Sequence, residues 1–208
     1  MTKTILLPTN SPDALVIAKK VLDHDGLIAF PTDTVYGLAS RLDSAKAIEG
    51  LFLAKGRDFN KAIAVLVGDV EQLSLVARQL PENALELASR FWPGALTLVV
   101  YRLPELPENL SPSETVGVRM PNHAFALQLL RACGPLATTS ANLSGQVNPL
   151  SAADVEAQLG GRIALILDGG PIPGGIPSTV VDCTSPDVKI LRQGAISEAE
   201  IRKTFNQP

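Results

Sequence analysis

Four cationic side chains stand where predicted helices or strands end, and together they could act on an anion. They are Lys55, Arg57, Arg119 and Arg192. An ATP triphosphate carries roughly three to four negative charges, and stabilising that charge as pyrophosphate leaves is the main work of nucleotidyl transfer. If the four cations converge in the folded chain, they match such a ligand in charge. The set therefore indicates a nucleotide or polyphosphate site.

The local spacing of these cations also allows a purely structural interpretation. If residues 55–57 are extended, Lys55 and Arg57 project to the same face and can both bind a polyphosphate. The alternative is that these residues form the solvent-exposed end of a helix. Arg119 closes an alternating strand in which Thr115, Gly117 and Arg119 share one side. An arginine there needs a partner, either a ligand phosphate or carboxylate or a structural Asp or Glu. The residues alone leave both alternatives open.

Hydroxyl and amide side chains gather in three further segments, each next to an apolar run. These segments are 32–34, 138–144 and 178–179. Ligands of α/β proteins usually bind where strands end, and such side chains bind neutral polar atoms or phosphate oxygens. An ordinary Asx or ST turn is the alternative for the first segment. In the second, Ser140 and Asn142 stand two residues apart and are expected to face one side.

Apolar periodicity predicts the elements that must position these residues. An N-cap at Ser11 and a stop at Gly26 predict one helix, and Asp43 is expected to cap another that ends near Lys55. Further helices are predicted at about 70–78, 82–91, 122–132, 152–159 and 197–205, and strands at 27–30, 63–67, 96–101, 115–119, 135–139, 163–167, 179–182 and 188–192. This alternation predicts an α/β fold with a large mixed sheet.

Composition excludes several classes of protein. The 208 residues are 46% hydrophobic and 19% charged, a composition that suits one globular domain. The net charge of −3 disfavours a protein whose main function is to bind nucleic acid. No apolar run approaches the roughly 20 residues that span a bilayer, so we expect a cytoplasmic protein without membrane contact. Cys133 and Cys183 are expected to be core thiols.

Several familiar catalytic motifs are missing. There is no GxxxxGK[ST] phosphate loop and no GxGxxG, and with only two histidines there is no HExxH; no serine lies in GxSxG. An enzyme with this sequence would therefore not depend on histidine as its central catalytic group.

Seven segments in a fixed order carry a family resemblance. They read PTDTVYGL, KGR, FWPGALTLVV, TVGVRMP, TTSANLSG, STVVD and ILRQGAI. In this order and spacing the sequence resembles the YrdC-like family of threonylcarbamoyl-AMP synthases across residues 12–197. The resemblance implies a single YrdC-like domain over 1–208, with a twisted mixed sheet, flanking helices and a large concave basic cavity.

The resemblance also implies an activity and a division of the site. L-threonine, bicarbonate and ATP, the last as its magnesium complex, would give threonylcarbamoyl-AMP, pyrophosphate and water. Lys55 and Arg57 would be catalytic. The ATP side would comprise Lys55, Arg57, Thr115, Ser140, Asn142 and Arg192, and the threonine side Thr32, Arg119, Thr138 and Ser178, with no metal held by protein side chains. The product would pass to partner proteins that modify tRNA, with at most weak tRNA contact by this chain.

Two residues depart from the family pattern. Many relatives have proline after KGR where this chain has Asp58, and some have a histidine where it has Leu66. Asp58 adds a negative charge beside the cations, and Leu66 removes one polar contact to substrate. Two alternatives therefore stay open: a non-catalytic RNA-binding or ribosome-assembly factor, and a carbamoyl-adenylate enzyme with another acceptor.

Overall fold

The computed structural model describes residues 3–205 and contains six α-helices and ten strands. The helices are α1 Ala14–Asp23, α2 Ala45–Lys55, α3 Glu82–Phe91, α4 Ala124–Cys133, α5 Ala152–Leu159 and α6 Glu198–Phe205. The strands are β1 Ile5–Pro8, β2 Ile28–Phe30, β3 Gly37–Arg41, β4 Ala64–Leu66, β5 Leu96–Tyr101, β6 Thr115–Arg119, β7 Leu136–Ser140, β8 Leu165–Asp168, β9 Thr179–Asp182 and β10 Lys189–Arg192.

All ten strands form one mixed sheet in the order β1-β8-β2-β3-β7-β4-β6-β5-β9-β10. The pairs β1–β8, β2–β8, β4–β6 and β5–β9 are parallel, and the remaining neighbours are antiparallel. The predicted α/β class with a mixed sheet is thereby confirmed. Of the strands next to the predicted site segments, β2, β7 and β6 lie near the centre of this order, and β9 and β10 lie at one edge.

Each face of the sheet has its own apolar core, because successive strand residues point to opposite sides. On one face Val65, Val116 and Val118 pack with α2, α3, α5 and α6. On the other face Leu66 and Leu136 pack with α1 and α4. These two helices cover only part of their face, and the uncovered part is where the cavity lies.

Local capping differs from the sequence prediction in two helices. α1 begins at Ala14 rather than after Ser11, because Asp13 is its N-cap residue. Ser44, not Asp43, caps α2 by accepting a hydrogen bond of 3.1 Å from the Ala47 amide. The Asp43 carboxylate pairs instead with Arg41 on the surface.

Three further elements differ from the prediction. The expected helix at 70–78 is only a short 3₁₀ turn over Glu71–Leu75. The strands β1 and β3 were not predicted at all. β3 contains Gly37, Ser40 and Arg41, so it lacks the apolar run that marks the other central strands.

Candidate active site

A cavity of about 510 Å³ opens on the sheet face that α1 and α4 leave uncovered. Its wall is built from stretches of chain that are remote in sequence, most of them on or next to strands of the sheet. They include Thr32, Thr34, Arg57, Leu66, Thr97, Ser111, Ser113, Thr115, Arg119, Thr138, Ser140, Asn148, Ser178 and Arg192. Its volume lies in the range of about 300–1,000 Å³ that is usual for small-molecule sites.

Small residues form the floor of the cavity, which keeps it deep. Gly37, Ala64 and Gly117 lie on the central strands β3, β4 and β6 and face the cavity. A Cβ atom on Gly117 would come within 2.9 Å of the Thr97 Cγ2 atom, and one on Gly37 within 3.1 Å of the Thr138 Cγ2 atom. The sheet therefore offers a concave surface where larger side chains would fill the space.

The charge of the wall is positive. Arg57, Arg119 and Arg192 line the cavity, and among the lining residues from the described part of the chain there is no Asp or Glu. Burial lowers the pKa of all three guanidinium groups from their usual value, which still leaves them cationic at neutral pH. An anionic ligand would relieve the cost of this desolvated positive charge.

Arg119 at the end of β6 is 6% exposed and rigidly held. Its Nε donates to the Gly94 carbonyl oxygen at 2.9 Å, Nη1 donates to Thr34 Oγ1 at 2.8 Å, and Nη2 pairs with Asp33 Oδ1 at 2.5 Å. The partner that the sequence left open is therefore a structural carboxylate, Asp33, for one edge of the guanidinium. The strand alternation around Arg119 is as predicted, since Thr115 and Gly117 also face the cavity.

Arg192 joins the carboxy-terminal strands to the cavity wall. Its Nη2 donates to the Ser178 carbonyl oxygen at 2.8 Å and to Ser178 Oγ at 3.2 Å, and its Nε donates to the same carbonyl. The hydroxyl of Ser178 is also 2.8 Å from Thr97 Oγ1. This chain of contacts connects a cation of the predicted ATP side to two hydroxyls beside it.

Lys55 and Arg57 do not share a face, contrary to the expectation from their spacing. Gly56 ends α2 in the left-handed conformation with φ of 59°, and this turn separates the two side chains. Arg57 lines the cavity and donates to the Ala62 carbonyl oxygen at 3.0 Å, while its buried Nε has no partner among the described residues. Arg57 Nε is thus a buried donor without a protein acceptor.

Lys55 lies behind the cavity wall and is 2% exposed. Its ammonium donates to the carbonyl oxygen of Ser140 and, at 2.5 Å, to that of Asn142, with Asn142 Oδ1 at 3.4 Å. Burial lowers the pKa of the Lys55 ammonium to about 7, and the charge of Arg57 acts in the same direction. The side chain ties α2 to the segment that follows β7.

Asn142 is the second predicted residue that does not line the cavity. Its Nδ2 donates to the carbonyl oxygens of Leu143 and Gln146, so the side chain shapes its own loop. Ser140, two residues earlier, does line the cavity. The two residues do not share a side, because β7 ends at Ser140 and the extended backbone on which that expectation depended stops there.

The remaining predicted residues lie on the cavity wall. Thr32, Thr115, Thr138 and Ser178 all contribute to it. Thr32 Oγ1 also accepts from the backbone amides of Thr34 and Val35 at 3.2 and 3.3 Å, which makes an ST turn. Thr32 thus forms an ST turn and also lines the cavity, so the turn does not exclude a part in ligand binding.

Sequence reasoning missed four polar residues of the wall. They are Thr97, Ser111, Ser113 and Asn148. Ser111, Ser113 and Thr115 have period-2 spacing, and the Ser113 and Thr115 hydroxyls lie 2.9 Å apart, so extending the strand pattern backwards would have found them. Asn148 lies in a loop and has no comparable periodic signal.

Two further absences concern residues 3–205. No cluster of three or more His, Cys, Asp or Glu side chains is arranged there to hold a metal ion. None of the helices in that range is both long enough and apolar enough to cross a membrane. Of the two thiols, Cys183 is buried and Cys133 is partly buried.

An open mixed sheet with a deep, arginine-lined and hydroxyl-rich cavity defines an α/β protein whose cavity chemistry suits anionic small molecules. A family model for Sua5, YciO and YrdC proteins, described as "Telomere recombination", matches residues 20–194. The chain belongs to this Sua5/YciO/YrdC family, as the seven motifs indicated.

Three known proteins illustrate the relationship. The threonylcarbamoyl-AMP synthase of Bacillus subtilis is 43% identical over 201 residues, covering 94% of this chain and 57% of the relative. A putative threonylcarbamoyl-AMP synthase of Mycobacterium tuberculosis is 38% identical and covers 95% of this chain and 92% of the relative. The crystal structure of P. abyssi Sua5 complexed with L-threonine is 38% identical with a TM-score of 0.92, covering 99% of this chain and 61% of that one. This chain thus spans little more than half of the Bacillus relative.

Proposed function

We propose that this protein is an L-threonylcarbamoyladenylate synthase, a nucleotidyltransferase that forms threonylcarbamoyl-AMP and pyrophosphate from L-threonine, bicarbonate and ATP. The observation that carries the proposal is one cavity in which three arginines, of which Arg119 is buried, and a set of mostly buried hydroxyls converge without an opposing carboxylate on the wall. Family membership and the names of the relatives support the same activity.

The two substrates would occupy neighbouring parts of the cavity. Arg57, Thr115, Ser140 and Arg192 would contact ATP, with the cations at its phosphates. Thr32, Arg119, Thr138 and Ser178 would contact L-threonine, with the amino-acid carboxylate on Arg119. The division is physically reasonable, because guanidinium groups match carboxylate and phosphate geometry and hydroxyls can pair with the substrate hydroxyl. The contact between Arg192 and Ser178 would mark the boundary between the two sides.

Lys55 and Asn142 belong to the proposed ATP side through the backbone that they hold. The Lys55 ammonium donates to the carbonyl oxygen of Ser140, whose side chain lines the cavity. A phosphate beyond Ser140 would favour the protonated form of this buried ammonium, and the poorly screened charge would in turn stabilise the phosphate without contact. A catalytic contribution by Lys55 would then be electrostatic and positional.

The chemistry requires two bond-forming steps. The neutral amine of threonine adds to the carbon of bicarbonate, and loss of water gives the carbamate. A carbamate oxygen then attacks the α-phosphorus of ATP, and the bond to the β-phosphate oxygen breaks as pyrophosphate leaves. The protein would contribute orientation of the two substrates and neutralisation of the charge that develops on pyrophosphate. Arg57 is suited to the second task, because its buried Nε has an N–H without a protein acceptor.

Magnesium would enter with ATP rather than on protein ligands. No carboxylate from the described residues lines the cavity, so the metal would be held by phosphate oxygens and water. When bound there, it would neutralise charge on the triphosphate.

A carbamoyl-adenylate enzyme with another acceptor is the second candidate, and Leu66 favours it. This residue lines the cavity on β4 directly beside Arg119 on β6, where some relatives have histidine. An apolar side chain at this position changes the surroundings of the acceptor amino acid. The choice of amino acid is therefore the part of the proposal that the experiment must resolve.

The wider context follows from the proposed product. Threonylcarbamoyl-AMP would pass to proteins that transfer the threonylcarbamoyl group to tRNA, with at most weak tRNA contact here, and the proposed location is the cytoplasm. We also treat residues 1–208 as one domain, because the described strands all belong to one sheet.

The test is ATP-dependent pyrophosphate release with bicarbonate, comparing L-threonine, L-serine and no amino acid, with the nucleotide product identified by mass spectrometry. Threonine-dependent release of pyrophosphate and threonylcarbamoyl-AMP is the expected result. Arg57→Ala should abolish it, while Arg202→Ala should not, because Arg202 is an exposed arginine paired with Glu198 on α6.

Other outcomes have defined meanings. Release with another amino acid would support the second candidate and refute threonine specificity. No release with any amino acid would refute both enzymes and leave the non-catalytic binding factor.

A further inference from the structure

Asp33 forms an ion pair that differs from the others in the described part of the chain. The side chains of Arg119 and Asp33 are 8% and 18% exposed, whereas six other ion pairs of the described residues have both side chains at least 32% exposed. Asp33 is not part of the cavity wall. A largely buried carboxylate that does not reach the cavity must act through its partner.

The geometry of the pair fixes the plane of the guanidinium. Each of the three nitrogen atoms of Arg119 has one protein acceptor: Gly94 for Nε, Thr34 for Nη1 and Asp33 for Nη2. A guanidinium has five N–H donors, so one donor remains on each Nη atom once these three are used. Three acceptors in different directions prevent the group from rotating.

Only one of these acceptors carries charge, and charge is needed at this position. Arg119 is desolvated and lies close enough to Arg192 for the two cations to repel each other. Gly94 and Thr34 offer neutral oxygens, so Asp33 supplies the counter-charge that keeps Arg119 in place when the cavity is empty. A buried cation that loses its counter-ion is strongly disfavoured and seeks another arrangement.

We propose that Asp33 is a positioning residue for the amino-acid substrate: it orients Arg119 so that its remaining Nη donors meet the substrate carboxylate. This inference rests on the proposed function, which places the threonine carboxylate on Arg119. Asp33 does not touch the substrate, and its effect is specific to the amino-acid side of the cavity. Affinity for ATP, whose contacts are assigned to other side chains, does not depend on it.

The test compares Asp33→Ala and Asp33→Asn with the wild type in steady-state pyrophosphate release. Asparagine retains an oxygen that can accept from Nη2 but loses the charge, and alanine loses both. Asp43→Asn is the matched control, because Asp43 pairs with Arg41 at the surface with its side chain 64% exposed. Isothermal titration with L-threonine alone gives a second readout, and circular dichroism verifies that each variant is folded.

We expect Asp33→Ala to raise KM and Kd for L-threonine about tenfold, the equivalent of about 1.4 kcal/mol. KM for ATP should stay within about twofold of the wild type. Asp33→Asn should recover part of the loss, and Asp43→Asn should behave as the wild type. A purely structural role of Asp33 would change KM for L-threonine and KM for ATP alike.

Three results would overturn the inference. Equal changes in both KM values would assign Asp33 to general stability, and unchanged values would show that Arg119 is held without it. A lower KM for L-threonine in Asp33→Asn would show that Asp33 competes with the substrate for the guanidinium. In each case an active wild type keeps the proposed function intact, whereas a wild type without threonine-dependent activity removes both.

Discussion

The buried ammonium of Lys55 should make the stability of the protein depend on pH in a way that one substitution removes. Its pKa is lowered to about 7 in the folded chain from an ordinary value of 10.5. Between these two values the unfolded chain binds a proton that the folded chain does not. The free energy of unfolding therefore rises with pH across this window, by up to about 1.4 kcal/mol per pH unit.

The perturbation is Lys55→Met, which keeps an unbranched side chain and removes the titrating group. Integrating the linkage from pH 7 to pH 9 gives a gain of about 2 kcal/mol for the wild type relative to the variant. The carbonyl oxygens of Ser140 and Asn142 favour the charged ammonium, so this value is an upper limit. Other groups, such as the buried thiol of Cys183, titrate equally in both proteins and cancel in the difference.

The assay is urea unfolding at pH 7, 8 and 9, followed by the fluorescence of Trp92. Lys46→Met serves as the control, because Lys46 is a surface lysine whose side chain is 82% exposed. The difference between wild type and Lys55→Met should grow with pH, while that between wild type and Lys46→Met should stay constant. A constant difference for Lys55→Met would show that the carbonyl oxygens keep the ammonium charged, and the reasoning from desolvation would be refuted.

Two substitutions test the cavity and a loop beside it. Gly117→Ala should raise KM for L-threonine several-fold in an initial-rate assay, because the new Cβ lies 2.9 Å from Thr97 Cγ2. Adding Thr97→Ser removes that methyl group and should return KM to the wild-type value. If KM stayed high in the double variant, a steric cause would be contradicted. Tyr36→Phe should lower the free energy of unfolding by about 1–3 kcal/mol in urea titrations. The buried Tyr36 hydroxyl donates to the Gly170 carbonyl oxygen at 2.7 Å and accepts from the Gly169 amide. Hydrogen exchange of the Gly169 amide should therefore also accelerate in the variant. Unchanged stability and exchange would show that the hydroxyl does not hold the loop at residues 169–170.

Regular periodicity is what made much of the fold predictable. The alternation in β6 placed Val116 and Val118 in the core and Arg119 on the other face, as the structure has them. Helices with a continuous apolar stripe were found in the same way. β3 was missed because it contains small and polar residues, and these fit there only because its neighbours supply the surrounding side chains.

The site was predictable in its residue types but not in their directions. Lys55 and Arg57 were expected to act side by side, yet the left-handed turn at Gly56 sends one behind the wall and one into the cavity. Asp33 was recognised only as part of a polar turn. Its role depends on Arg119, which is 86 residues away in sequence, and no local pattern records such a contact.

The order of the strands has a consequence for protein synthesis. Arg57 and Arg119 come from the first two thirds of the chain, but Ser178 and Arg192 lie on or beside the final two strands of the sheet. A fragment that ends between residues 140 and 178 would carry Arg57 and Arg119 but would lack Ser178 and Arg192, which complete the cavity wall. Under the proposed function, both sides of the cavity would therefore be complete only once the chain has been translated through residue 192.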